Sequence, residues 1–392
     1  MRNHLPRIIF LALLIAIGTS CGQMGSSSTT STSGSSGDCV APIHPSFAYV
    51  LSYSDATISM YGADSCSGAL TALTPATVST GVDNGFNAEE MAIDPTGKFL
   101  YVANLGSNAT DAATVSMFTI NPTTGMLTAN TPAQVPTGFF PQGIAASSNF
   151  VYTANSDDNS VSMFTINTGS GVLTALTPSE MIVPPICTSC SLESSPDFVT
   201  VGPSGQFLYV TDQDNGSIST FAINAQTGAL TPTNPAGIVA GIDPWKVTFD
   251  PTGKFAYVAD EDANRVWMFT VDATSGTLTP NATPLMNAGN SPAYMAVHPS
   301  GKFAYVVNRL DGTVSMYSID AASGILSPLA PGTVPAGNRP FSIAVNAAGT
   351  FAYVGNQSDN SLSIYRIGTS GVLTAAGTIQ TGSGPIDVAL IN

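Results

Sequence analysis

Gly301-Lys302-Phe303-Ala304-Tyr305-Val306-Val307-Asn308 decides the reading of this chain, because its core pattern returns. Phe-X-Tyr followed by Val or Thr occurs with tyrosines at Tyr49, Tyr101, Tyr152, Tyr209, Tyr257, Tyr305 and Tyr353, spaced by 52, 51, 57, 48, 48 and 48 residues. A period near fifty built of short strand-like segments signals a propeller or an array. One unit reads from 292 to 337. Pro292 to Val297 is a first strand, His298-Pro299-Ser300-Gly301 a tight turn, and Phe303 to Val307 a second strand. Asn308 to Gly312 is a polar loop, and Thr313 to Ile319 alternates apolar residues as a third strand. Ile325-Leu326-Ser327-Pro328 opens a weaker fourth strand, whose proline suits only a sheet edge.

Four antiparallel strands per unit make a propeller blade. The fold expected is all-β, a seven-bladed β-propeller of four-stranded antiparallel blades. The body starts at a second strand (Phe47 to Leu51) and ends at a first strand (Ile386 to Ile391), so the two termini share one blade. Such closure removes exposed sheet edges, and a monomer is expected.

The composition fits. Only 9% of residues are charged. Of 10 Lys+Arg, removing Arg2 and Arg7 with a leader leaves 8 against 25 Asp+Glu, a net charge of −17. Such a field repels nucleic acid and anionic headgroups. Residues 1–20 read as a lipoprotein signal peptide: a basic start, the apolar run Ile8 to Ile17, then Gly18-Thr19-Ser20-Cys21. The end resembles a bacterial lipobox with Cys21 as the lipidated residue. Residues 21–38 are almost wholly Ser, Thr and Gly, a flexible tether before the propeller at 39–392. Gly22 in place of Asp favours the outer membrane or cell surface.

Export permits disulfides. Cys39 and Cys66 lie on the same side of the first blade and are expected to pair. Cys187-Thr188-Ser189-Cys190, in the insertion that stretches one repeat, is expected as a local disulfide. No cofactor or metal is expected, since Asp212-Gln213-Asp214-Asn215-Gly216 lacks the remaining ligands of a calcium loop.

Loops entering each first strand and loops leaving each second strand share one face. That face carries Trp245, Lys246, Tyr294, Arg309, Arg339 and Phe341 as candidate ligand-binding residues, because aromatics and arginine anchor recognition sites. Glu89, Glu90 and Glu261 are the candidate catalytic carboxylates. Strict alternation would send Glu89 and Glu90 to opposite sides of a strand.

Phe255-Ala-Tyr-Val-Ala-Asp260, Phe303-Ala-Tyr-Val-Val-Asn308 and Pro299-Ser-Gly-Lys-Phe303 resemble the seven-bladed lactonase propellers, which include 6-phosphogluconolactonase-like proteins and overlap the YVTN-repeat propellers. The resemblance covers Phe47 to Asn392. It implies an Arg-His pair after the first-strand proline and a Glu after the Asn ending a second strand. Here Ala293-Tyr294 follow Pro292 and Arg309 follows Asn308. The expectation is therefore a lipid-anchored binding module for a protein, glycan or small molecule, with a degenerate family site. The alternative is a hydrolase that opens a lactone.

Overall fold

The computed structural model describes residues 46–81, 88–106, 113–186 and 194–391. They form seven four-stranded antiparallel sheets, and no helix is present among them. Blade 1 joins Pro385–Ile391 to Ser46–Ser52, Thr57–Ala63 and Leu70–Ser79, so both termini close it as expected. Blades 2 to 7 follow in chain order, at 88–136, 141–182, 196–239, 244–287, 292–335 and 340–380. Within each blade the first strand is innermost, and the first strands of neighbouring blades touch around most of the ring.

Burial falls from the centre outward. Second strands such as Phe255–Asp260 are buried along their whole length, because neighbouring blades cover both faces. Fourth strands are mostly exposed. They are not weak, however: Leu326–Pro335 runs ten residues. The fourth strand is the outer edge, as expected, but the weakness expected of it fails because the ladder bulges. Tyr317 pairs with Pro328 and Ser315 with Thr333, so Pro331 falls in the looped-out stretch, where no ladder N–H is required. Blade 5 departs the other way. Its innermost strand shrinks to Thr248–Phe249, with one bridge between Pro244 and Asp260.

The repeated Phe-X-Tyr has a single mechanical use. Each tyrosine hydroxyl donates to the carbonyl of a turn glycine in the next blade, at 2.8–3.1 Å. The pairs are Tyr49–Gly125, Tyr101–Gly171, Tyr152–Gly228, Tyr209–Gly276, Tyr257–Gly324, Tyr305–Gly371 and Tyr353–Gly68. The last pair closes the ring. The phenylalanine two residues earlier lies flat against the same glycine, where any Cβ would overlap the ring. Each of these glycines also has φ between 70° and 81°, a conformation that L side chains rarely adopt. An Asx turn shapes the same corner: Asp320 Oδ1 accepts the N–H groups of Ala322 and Ser323.

Cys66 is disulfide-bonded. Cys21, Cys39, Cys187 and Cys190 lie outside the described residues, as do residues 1–38, which the sequence reading expects to be a leader and tether. Asp212 spends its carboxylate on Asn215 and Ser194, as a turn residue does. Among the described residues no group of three or more His, Cys, Asp or Glu could hold a metal ion.

Gly324→Ala should lower stability by about 1–3 kcal/mol, from left-handed strain plus the clash with Phe255. Tyr257→Phe, which strands one buried carbonyl, should cost about 1–2 kcal/mol. Urea unfolding checks both, and unchanged midpoints would remove the latch from the account.

Candidate functional site

The first strands begin with a common corner, Pro-X-X in six blades and Ala88-Glu89-Glu90 in blade 2. Its backbone is tied to the loop leaving the second strand. Ser156 N–H donates to Phe140, Glu261 to Asp243, Arg309 to Ser291 and Gln357 to Arg339. The two loop sets therefore meet at one mouth, and all nine candidate residues from the sequence lie there.

The mouth has two halves. Blades 4 to 7 supply aromatics: Phe198 stacks on Trp245 at 5.1 Å, Tyr294 meets Trp245 edge-on at 5.5 Å, and Phe341 meets Trp245 at 5.2 Å. Trp245 and Tyr294 are only 5% and 9% exposed. They are not open anchors, as the sequence reading supposed. They fill the channel against one another and make a floor, because seven inner strands leave a gap that large rings occupy.

Corner carboxylates come from blades 1 and 2 (Asp387, Glu89 and Glu90) and from blade 4, where burial pushes Asp197 up while it accepts from Gln142 Nε2 and the Gln213 N–H. Glu90 is 1% exposed and reaches across the channel. Lys246 Nζ, from blade 5, donates to its Oε1 at 2.5 Å, and Tyr294 OH, from blade 6, at 3.2 Å. The N–H of Ile144, from blade 3, donates to Oε2 at 2.8 Å. With its oxygens so engaged, Glu90 is a strut that fixes Lys246. Glu89 makes no hydrogen bond among the described residues. The register shifts between Ala88 and Glu90, so strict alternation does not hold at this pair. Burial, then the charge of Glu90, push the Glu89 carboxyl up to about 8. Asp387, across blade 1, is pushed up to about 7 by burial and then by Glu90, while Lys246 and the N–H groups of Met91 and Val388 pull it down. Asp387 was not singled out in the sequence, although it occupies the same corner position as Glu90 and Lys246.

Glu261 holds the second cluster. Arg309 Nη1 donates to both its oxygens at 2.8 and 2.9 Å, Trp245 Nε1 donates at 2.9 Å, and Ser291 Oγ also bonds it. The Arg309 guanidinium sits 5.3 Å from the Trp245 ring and 5.0 Å from Phe341. Glu261 follows Asp260 at the end of a second strand, so the carboxylate sought after Asn308 comes from the neighbouring blade. Among the described residues no histidine joins this face. His298 lies in a turn, bonded to Ser300 and the Gly349 carbonyl. Chemically, the mouth offers a carboxyl, Glu89, with no hydrogen bond among the described residues and pushed up to about 8, next to Glu90, which holds the Lys246 ammonium, over an apolar floor.

Glu89 and Asp387 both hold protons more tightly when folded, rising from ordinary values of 4.5 and 3.8. The folded state thus binds more protons above those values, and stability falls as pH rises toward about 8. Urea midpoints should drop from pH 5 to pH 8, and Glu89→Gln should flatten that slope. An unchanged slope would contradict the burial of this carboxyl.

The chain's likeness to known proteins agrees with this fold. The family model described as Lactonase, 7-bladed beta-propeller matches residues 29–190, 188–241 and 240–390. No curated protein matches. Among solved structures, a protein of Bacteroides fragilis NCTC 9343, provisionally assigned as a 6-phosphogluconolactonase, is similar with TM-score 0.75 and 22% identity, over 91% of this chain and 100% of that one. A similarly assigned protein of Bacteroides uniformis ATCC 8492 gives TM-score 0.76 and 21% identity, over 89% and 100%. The periplasmic gluconolactonase of Pseudomonas aeruginosa gives 0.72 and 19%, over 89% and 99%. At these identities the solved structures speak for the fold. The family match spans nearly all of the propeller, and the chain belongs to the seven-bladed β-propeller lactonase family.

Proposed function

We propose that this protein opens a lactone by hydrolysis at the channel mouth, with Glu89 as general base. The observation that carries the reading is the Glu89 carboxyl, raised by burial and without a hydrogen bond among the described residues, next to Glu90 of the Glu90–Lys246 strut. A carboxyl that titrates near the working pH is suited to take and return a proton. In the proposed sequence Glu89 takes a proton from water as the oxygen attacks the lactone carbonyl carbon. The Lys246 ammonium, fixed by Glu90, stabilises the developing oxyanion. The ring C–O bond then breaks, and Glu89 returns the proton to the leaving alkoxide, giving a hydroxy acid. Glu261 is a weaker base candidate, because Arg309, Trp245 and Ser291 occupy both its oxygens.

The substrate class proposed is a sugar lactone of hexose size, a reading supported by the names of the similar structures, a 6-phosphogluconolactonase by provisional assignment and a gluconolactonase. The Ser20-Cys21 ending of the leader and the Ser/Thr/Gly tether support a lipid-anchored protein outside the cytoplasm. A binding module without catalysis is the second reading, favoured by the missing Arg-His after Pro292.

Residues 39–392 should open glucono-1,5-lactone faster than buffer does. The rate should climb with pH as Glu89 deprotonates near 8. Glu89→Gln should lower kcat by about a hundredfold or more. Equal rates in enzyme and buffer, across sugar and aliphatic lactones, would leave the binding module.

A further inference from the structure

At the mouth, Arg339 stands out as a cation with no counter-ion. Lys246 is paired with Glu90 and Arg309 with Glu261. Arg339 has no hydrogen bond or ion pair from its side chain among the described residues, and its Nε is buried without a partner. The Nε of Arg309 is also buried and unpartnered. The two arginines are neighbours: Arg309 packs on Phe341, two residues beyond Arg339, and Arg339's carbonyl accepts from Gln357, which occupies in blade 7 the position of Arg309 in blade 6. Burial, together with the like charge of Arg339, holds the Arg309 guanidinium below its ordinary range, against the pull of Glu261 and Asp243. Placing two like charges in a partly dry mouth is unfavourable without an anion between them.

The backbone shows what the fold itself requires at this position. The corner before the first-strand proline is left-handed in four blades, at Phe140 (φ 56°), Ser291 (φ 56°), Arg339 (φ 50°) and Gly384 (φ 68°). Phe, Ser and Gly build it as readily as Arg, so the corner does not call for an arginine. A partly buried cation without a partner, at a corner that the fold builds from other residues elsewhere, is a residue held for a ligand.

We propose that Arg339, with Arg309 beside it, forms an oxyanion subsite at the mouth that receives a carboxylate or phosphate carried by the ligand. The guanidinium fork suits either group, since both present two oxygens to parallel N–H donors. Phe341 and Trp245 form the floor under the Arg309 side of the subsite. This inference rests on the mouth being the ligand site. Its test reads binding without turnover, so the hydrolase reading can fail while the subsite stands.

The test is calorimetric titration of the 39–392 protein with gluconate, glucose 6-phosphate and glucose at equal ionic strength. One of the two anionic probes should bind more tightly than glucose, and which one does identifies the group. Arg339→Gly should unfold no earlier than the parent, because it relieves the strained corner, and should weaken that binding by about tenfold or more. Arg339→Gln should weaken it similarly while keeping a side chain. Binding of the anions no tighter than glucose, no binding of any probe at millimolar concentration, or undiminished binding by both variants would overturn the subsite.

Discussion

The structure depends on one contact made seven times. A phenylalanine ring lies on a turn glycine of the next blade, and the tyrosine two residues on donates to that glycine's carbonyl. Each hydrogen bond is worth about 1 kcal/mol net, so seven together rival the ~5–15 kcal/mol that separates folded from unfolded domains. The contact is also directional. It couples blade to blade in one sense around the ring, and Tyr353 to Gly68 joins the last blade to the first. A blade lacking its neighbour would expose both the ring and the glycine corner it covers. This is why the repeat keeps phenylalanine, tyrosine and glycine while nearly everything between them varies.

Because the second strands carry the latch, the first-strand corners are free to diverge. Seven copies of one backbone corner hold Glu90, Gly143, Phe198, Lys246, Tyr294, Ser342 and Asp387. Symmetry of the scaffold thus yields an asymmetric mouth, with the Glu90 strut reaching from one side and the aromatic floor, with Glu261 bonded to Trp245, on the other. Glu90 spans the channel to reach Lys246 and Tyr294, so residues from blades 2, 5 and 6 are pinned to one another at the axis. A buried carboxylate with three donors is fixed in place, and it fixes the ammonium it holds. What remains unfixed is Glu89, whose carboxyl has been made a weak acid by its surroundings.

The period, the strand order and the shared first blade could be read directly, because hydrophobic alternation and turn chemistry are local and recur seven times. The bulge around Pro331 could not, since register depends on which backbone groups face across the ladder. The face of the site was legible from topology alone. The partners on it were not. Glu90 and Lys246 are 156 residues apart, and nothing in the sequence couples them. Trp245 and Tyr294 looked like open anchors, because composition says nothing of how far rings from four blades reach toward a common axis. Asp387 was passed over because its pKa is set by burial and by Glu90, both of which exist only after the ring closes.

The central claim is that the closed ring holds Glu89 as a carboxylic acid near neutral pH, free to exchange its proton with water. The direct measurement is a pH titration of side-chain carboxyls by carbon NMR on protein labelled at glutamate. The account predicts one glutamate carboxyl titrating near 8 that disappears in Glu89→Gln. A spectrum in which every glutamate titrates in the ordinary range around 4 to 5 would contradict it.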